Sequence, residues 1–250
     1  MRIGLLYPTR DCGEDDFAAL CRRLDPAPSL DFAYVEGDTD VGPDAAAQTA
    51  AVRALGTPGR LTAAADKLPA IPDVVSWACS SCSFAHGLDG AREQARALAE
   101  HVGVRASSTS LAYLAALDRL GAGRVALASV YHPDLTAAFA AFLAEAGVTT
   151  VHAVSADAGS DRTLAAWGGH RITELAVAAD HADADAVLVP ETALHTTPLL
   201  AGLDERLRKP VLTATAVTVW DAMGSAPAQS GLGTLFSAGP SRRRRSSSSS

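Results

Sequence analysis

The chain has 250 residues, room for one large α/β domain or two small lobes, and is 48% hydrophobic but only 5% aromatic, so its core must rest largely on alanine and aliphatic side chains. A formal net charge of −7 argues against a nucleic-acid partner, and four cysteines are too few for a disulfide scaffold. No apolar run approaches the roughly 20 residues of a membrane span and no secretory leader is visible at Met1-Arg2-Ile3, so a cytoplasmic protein without a membrane partner is expected.

Short β-type runs alternate with longer helical ones, the pattern of parallel sheets covered by helices. A first strand over residues 2–7 ends at Pro8. Asp11, Gly13 and Glu14 then form a loop and an acidic first turn for a helix over 14–23. A strand over 31–35 and helices over 44–55 and 61–68 precede a strand over 73–78, which stops at Cys79-Ser80-Ser81-Cys82. Helices over 90–101 and 108–120 lead to a strand over 124–130 that ends at Tyr131. A helix over 133–146 begins at Pro133 and gives way to Gly147, the usual punctuation at either end. Strands over 148–154, 184–189 and 210–213 alternate with helices over 172–179, 198–207 and 216–223, and an Arg/Ser tail over 239–250 reads as disordered.

The strand ends suggest a weak internal repeat. Arg2-Ile3-Gly4-Leu5-Leu6-Tyr7-Pro8 is similar to Arg124-Val125-Ala126-Leu127-Ala128-Ser129-Val130-Tyr131, and the run ending at Cys79 answers the run ending at Pro190-Glu191-Thr192. Two similar lobes would put Cys79 and Glu191 on opposite sides of a bound molecule. The carboxyl ends of parallel strands are where α/β sheets bind ligands. A thiol there can donate a proton, accept one or attack, and flanking hydroxyls can hold carboxylate oxygens.

Other readings compete. Cys79 and Cys82 form a Cys-x-x-Cys pair, which also fits dithiol redox or metal chemistry, although Ala78 separates Trp77 from the first cysteine, unlike thioredoxin-like motifs. Cys82, Cys12 and Cys21 read as structural or unpaired thiols, with Cys12 near the first strand end. His195 lies one helical turn from Glu191, a spacing that suits a Glu–His pair. His132, Glu191, His195 and Cys79 lack zinc-ligand spacing, so no metal is expected.

These segments, with residues 138–147, 185–192, Pro210-Val211-Leu212-Thr213 and Trp220-Asp221-Ala222, resemble the aspartate/glutamate racemase superfamily over about residues 2–236. The resemblance is to the branch holding maleate isomerase and arylmalonate decarboxylase. It implies two pseudo-symmetric α/β lobes with a cleft between them, no cofactor, and proton transfer at two strand ends. On this pattern one lobe comprises 1–114 plus 215–238 and the other 115–214. Maleate isomerase-like proteins carry cysteine at both ends; arylmalonate decarboxylase-like proteins carry glycine at the first and cysteine at the second. Here Cys79 fills the first place and Glu191 the second.

By the same resemblance Ser80, Ser81, Tyr131, Thr192 and Pro8 belong to the substrate-binding set, and Asp11 lies near an asparagine of the maleate isomerases. The expected reaction is cysteine-dependent decarboxylation of a small substituted malonate through an enediolate, because one proton donor suffices when carbon dioxide leaves from the other face. The alternatives are cis–trans isomerisation or racemisation of a small carboxylate, or a non-catalytic ligand-binding protein on this scaffold. The alanine-rich helices are compatible with a homodimer.

Overall fold

The computed structural model describes residues 1–37, 45–224 and 228–237. The expected tail over 239–250 and the first residue of the helix expected over 44–55 lie outside the described residues. Eight strands among the described residues form two parallel sheets. The first holds β1 (Arg2–Tyr7), β2 (Ser29–Tyr34), β3 (Val74–Trp77) and β4 (Arg105–Ser108), in the order β2-β1-β3-β4. The second holds β5 (Arg124–Ser129), β6 (Thr149–Ser155), β7 (Ala186–Val189) and β8 (Val211–Thr213), in the order β6-β5-β7-β8. The two orders are the same when β1–β4 are laid on β5–β8. The repeat read from the strand ends is therefore real: β1 corresponds to β5, and β3, before Cys79, to β7, before Glu191.

Strands buried on both faces need helices on both sides. In the first half these are α1 (Glu14–Cys21), α2 (Ala45–Leu55), α3 (Pro58–Ala65), α4 (Ser81–Phe84), α5 (Gly87–Val102) and α6 (Thr109–Leu120). In the second they are α7 (Pro133–Glu145), α8 (Asp161–Ala165), α9 (Gly169–Ala179), α10 (Leu200–Leu207), α11 (Ala214–Met223) and α12 (Thr234–Ser237). Local signals set several ends. The Ser108 side chain caps α6 by accepting from the Leu111 amide at 3.3 Å, and Gly121 closes it at φ 67°. Pro133 opens α7 and Gly147 follows it at φ 80°.

Three corrections to the expected elements stand out. The helix expected over 61–68 runs three residues earlier, because Pro58 opens it after Thr57. Strand β4, Arg-Ala-Ser-Ser, has no β-branched residue and is a strand only through its register with β3 at the sheet edge. The short helices α4, α8 and α12 carry too little periodicity to be read locally.

One cluster of buried side chains runs through both halves, from Ile3 and Leu5 to Leu127, Leu188 and Val217. A second, with Leu6, Val75, Trp77, Leu61 and Leu98, fills the other face of the first sheet. Helix α11 follows β8 and packs against α6, where Thr109 Oγ1 and Thr218 Oγ1 share a hydrogen bond of 2.7 Å. No helix among the described residues is long and apolar enough to cross a membrane.

Candidate active site

The chain leaves β3 with the Ala78 amide still bonded to Leu6 O at 2.9 Å, then turns at Cys79 into α4. The Cys82 amide donates to Cys79 Sγ at 3.4 Å, and Ser81 Oγ lies 3.8 Å from that sulfur and 3.9 Å from Cys82 Sγ. From behind, Ser110 Oγ donates to Ser80 O at 2.8 Å, and Ser83 and Ser108 share a hydrogen bond of 2.9 Å. All four cysteines are free thiols. Burial, reinforced by the Cys82 sulfur, pushes the Cys79 thiol well above its ordinary value, so it is held as S–H. Beside it, the Ser80 hydroxyl is buried and has no hydrogen-bond partner.

The second half presents Pro190-Glu191-Thr192 at the equivalent place. Tyr113 OH donates to Val189 O at 2.7 Å and Tyr131 OH to Pro190 O, fixing the backbone on its way to Glu191. Glu191 is buried, and its Oε1 accepts from the Ala193 amide at 2.8 Å. Burial, and then the Asp161 carboxylate, push the Glu191 carboxyl up to about 8 against the opposing effect of its hydrogen bonds. The net effect favours its protonated form.

Thr192 joins the two halves. Its Oγ1 donates to Ala78 O at 3.4 Å, and its own carbonyl accepts from Tyr7 OH at 3.2 Å. The first strand-end loop presses on the same carbonyl: a Cβ on Gly13 would lie 2.2 Å from Thr192 O and 2.6 Å from Tyr7 OH. The residues flanking Cys79 and Glu191 thus meet, although they are far apart in sequence.

The expected substrate-binding residues divide. Ser80 and Ser81 stand beside the thiol. The Tyr131 hydroxyl faces Pro190 O and the Glu191 carboxyl, and the Thr192 hydroxyl faces Ala78 O, so both hold the strand ends in place in this state. Pro8 is half-buried just beyond β1. Asp11 is exposed at φ 58°, with its amide bonded to Glu14 Oε1 at 2.9 Å. It lines an open hollow of about 500 Å³ together with Cys12, Glu14, Phe32, Tyr34 and His195. The buried Cys79 does not line that hollow. The Glu–His pair is also corrected: His195 Nε2 lies 2.6 Å from Asp15 Oδ1. Among the described residues no group of three or more His, Cys, Asp or Glu side chains is arranged to hold a metal ion.

Asp161 was not foreseen. It is half-buried at the start of α8, and Thr9 Oγ1 donates to its Oδ2 at 2.6 Å. In the sequence it is an ordinary acid after a serine cap, Gly159-Ser160-Asp161, and only the fold brings it to the other strand ends.

The sequence profile of the arylmalonate decarboxylase family matches residues 58–236. The arylmalonate decarboxylase of Bordetella bronchiseptica is 32% identical over 169 residues, covering 65% of this chain and 70% of that protein. Among solved structures, a liganded arylmalonate decarboxylase double mutant, with cysteine for a glycine and serine for a cysteine, superposes with a TM-score of 0.77 at 25% identity. That match covers 94% of this chain and 98% of the other. A mutant maleate cis-trans isomerase of Nocardia farcinica, with a covalently bound succinylcysteine intermediate, shares the fold with a TM-score of 0.81 at 23% identity, over 94% and 97% of the two chains.

Proposed function

The chain belongs to the arylmalonate decarboxylase family, and on that premise we propose that it decarboxylates a small substituted malonate with its own side chains. One observation carries the assignment of residues: Cys79 and Glu191 follow the equivalent strands β3 and β7, and Thr192 Oγ1 on Ala78 O draws those two strand ends together.

The chemistry follows from what each group holds. Loss of carbon dioxide breaks a carbon–carbon bond and leaves its electron pair in an enediolate, which needs donors aimed at its oxygens. The unpartnered Ser80 hydroxyl and the nearby Ser81 hydroxyl are those donors. Cys79, held as S–H, delivers its proton to the α-carbon, and the resulting thiolate regains a proton from water. Glu191 faces it as a neutral carboxyl. Ionised, it would repel a dicarboxylate; protonated, it donates a hydrogen bond to an oxygen of the substrate.

Purified protein offered aryl- and alkylmalonates is expected to release carbon dioxide, with the rate falling about 100-fold or more in Cys79→Ala, the scale of a lost general acid. Full activity in that variant overturns the role of Cys79. Conversion of maleate without release from any malonate turns the assignment to the isomerase reading, which the shared fold of the maleate isomerase favours. Tight binding of a malonate without turnover points instead to a binding protein.

A further inference from the structure

Helix α6 carries two buried hydroxyls three residues apart, and each reaches the carbonyl at which a strand end turns. Ser110 Oγ donates to Ser80 O at 2.8 Å. The same carbonyl accepts from the Ser83 and Phe84 amides, both at 3.1 Å, and so anchors the turn that follows Cys79. Tyr113 OH donates to Val189 O at 2.7 Å and lies 3.5 Å from Leu212 O on the neighbouring strand β8. Val189 O also accepts from the Glu191 amide at 3.0 Å, the bond that closes the tight bend into Glu191. Positions i and i+3 share one face of a helix. A single helical face therefore touches the end of β3 in the first sheet and the end of β7 in the second.

Satisfying the backbone does not account for either hydroxyl. Without them Ser80 O would keep two amide donors and Val189 O one, so neither carbonyl would be orphaned. Both side chains are fully buried, where alanine and phenylalanine would fill the space without bringing in polar groups that need partners. What the two hydroxyls add is a fixed span between the strand ends. We propose that Ser110 and Tyr113 are positioning residues, with α6 as a gauge that sets how far the Cys79 thiol stands from the Glu191 carboxyl. Ser110 acts through the turn after Cys79, and Tyr113 through the bend at Glu191. The hydrogen bond between Thr109 and Thr218, at the start of α6, keeps the gauge from sliding along α11. The consequence rests on the decarboxylase reading: an intermediate lying between the two groups reacts only at the correct span, and a misplacement of about 1 Å can cost about 100-fold in rate.

The test uses the full chain with two hydroxyl deletions, Tyr113→Phe and Ser110→Ala. Each leaves every carbonyl bonded and should keep the wild-type Tm nearly unchanged; either alone suffices should the other fail to fold. Without substrate, ¹³C NMR reads the Glu191 carboxyl carbon, assigned by its loss in Glu191→Gln, and the Cys79 Cβ, assigned by its loss in Cys79→Ser. Tyr113→Phe should move or broaden the Glu191 signal and leave that of Cys79 in place, and Ser110→Ala should do the reverse. With a malonate, each variant should lower kcat and kcat/KM alike, by about 10-fold or more, with KM little changed, the mark of geometry lost in the transition state. Signals unmoved in the variants, or both signals moving together in each, overturn the gauge and leave the hydroxyls as core filling. Wild-type kcat in a variant whose signal has moved overturns the positioning role. A protein that turns over no malonate fails the decarboxylase reading, and the substrate-free signals then decide the gauge by themselves.

Discussion

At Ser80 a buried hydroxyl stands without a partner next to a buried thiol. An unsatisfied buried polar group costs stability, whereas a donor aimed at developing charge lowers a barrier. Ser80→Ala should therefore leave thermal stability unchanged or slightly raised while lowering kcat on a malonate by about 100-fold. A parallel loss of folding and activity would assign the hydroxyl to structure instead. The places of Cys79 and Glu191 just after two equivalent strands were legible because each follows an apolar β-run, and that boundary survives in the primary structure. Asp161 was not, since an acid in a capped first turn looks the same whether or not a second sheet lies opposite. The partners of Tyr131 and Thr192 were equally invisible, being groups supplied by residues far off in the sequence.

Among the elements, the loop between β1 and α1 depends most visibly on one residue. Gly13 sits at φ −120°, a conformation open to any residue, so its requirement is space and not backbone freedom. A methyl group there meets the Thr192 carbonyl and the Tyr7 hydroxyl at the distances given above, and neither is the free end of a flexible side chain. Gly13→Ala should cost about 1–3 kcal/mol, the range of an overpacked site, read as a fall in Tm. An unchanged Tm would mean that the loop shifts freely and that its contact with Thr192 is incidental. The strands were readable where both faces are buried in aliphatic residues. Strand β4 was not, because its polar sequence becomes a strand only when β3 offers an edge. Helix α8 failed in the same way, being too short to show a period.

The whole molecule folds as two matched sheets joined at their carboxyl ends, and its buried acids make that junction sensitive to pH. An unfolded Glu191 ionises near 4.5, whereas the folded one holds its proton up to about 8. Folding thus takes up a proton between those values, and the stability this carboxyl contributes, complete at low pH, declines as pH rises through that window. Asp16, buried against the Thr196 and Thr197 amides, is also pushed up by desolvation and acts with the same sign. His86, held down by burial, acts with the opposite sign but only near and below its ordinary value of 6.5. Thermal melts between pH 6.5 and 8 should accordingly show Tm falling with rising pH, with a shallower slope in Glu191→Gln. An equal slope in that variant would locate the sensitivity elsewhere.

The matched strand orders carry unlike groups at their two corresponding ends, sulfur on one side and a carboxyl on the other. A flat intermediate lying between them has two faces that would be mirror-equivalent in free solution but are not equivalent here. On the proposed role of Cys79 hydrogen arrives from the sulfur side alone, so a prochiral malonate should leave as a single enantiomer. Exchanging the two groups between the halves should invert its handedness.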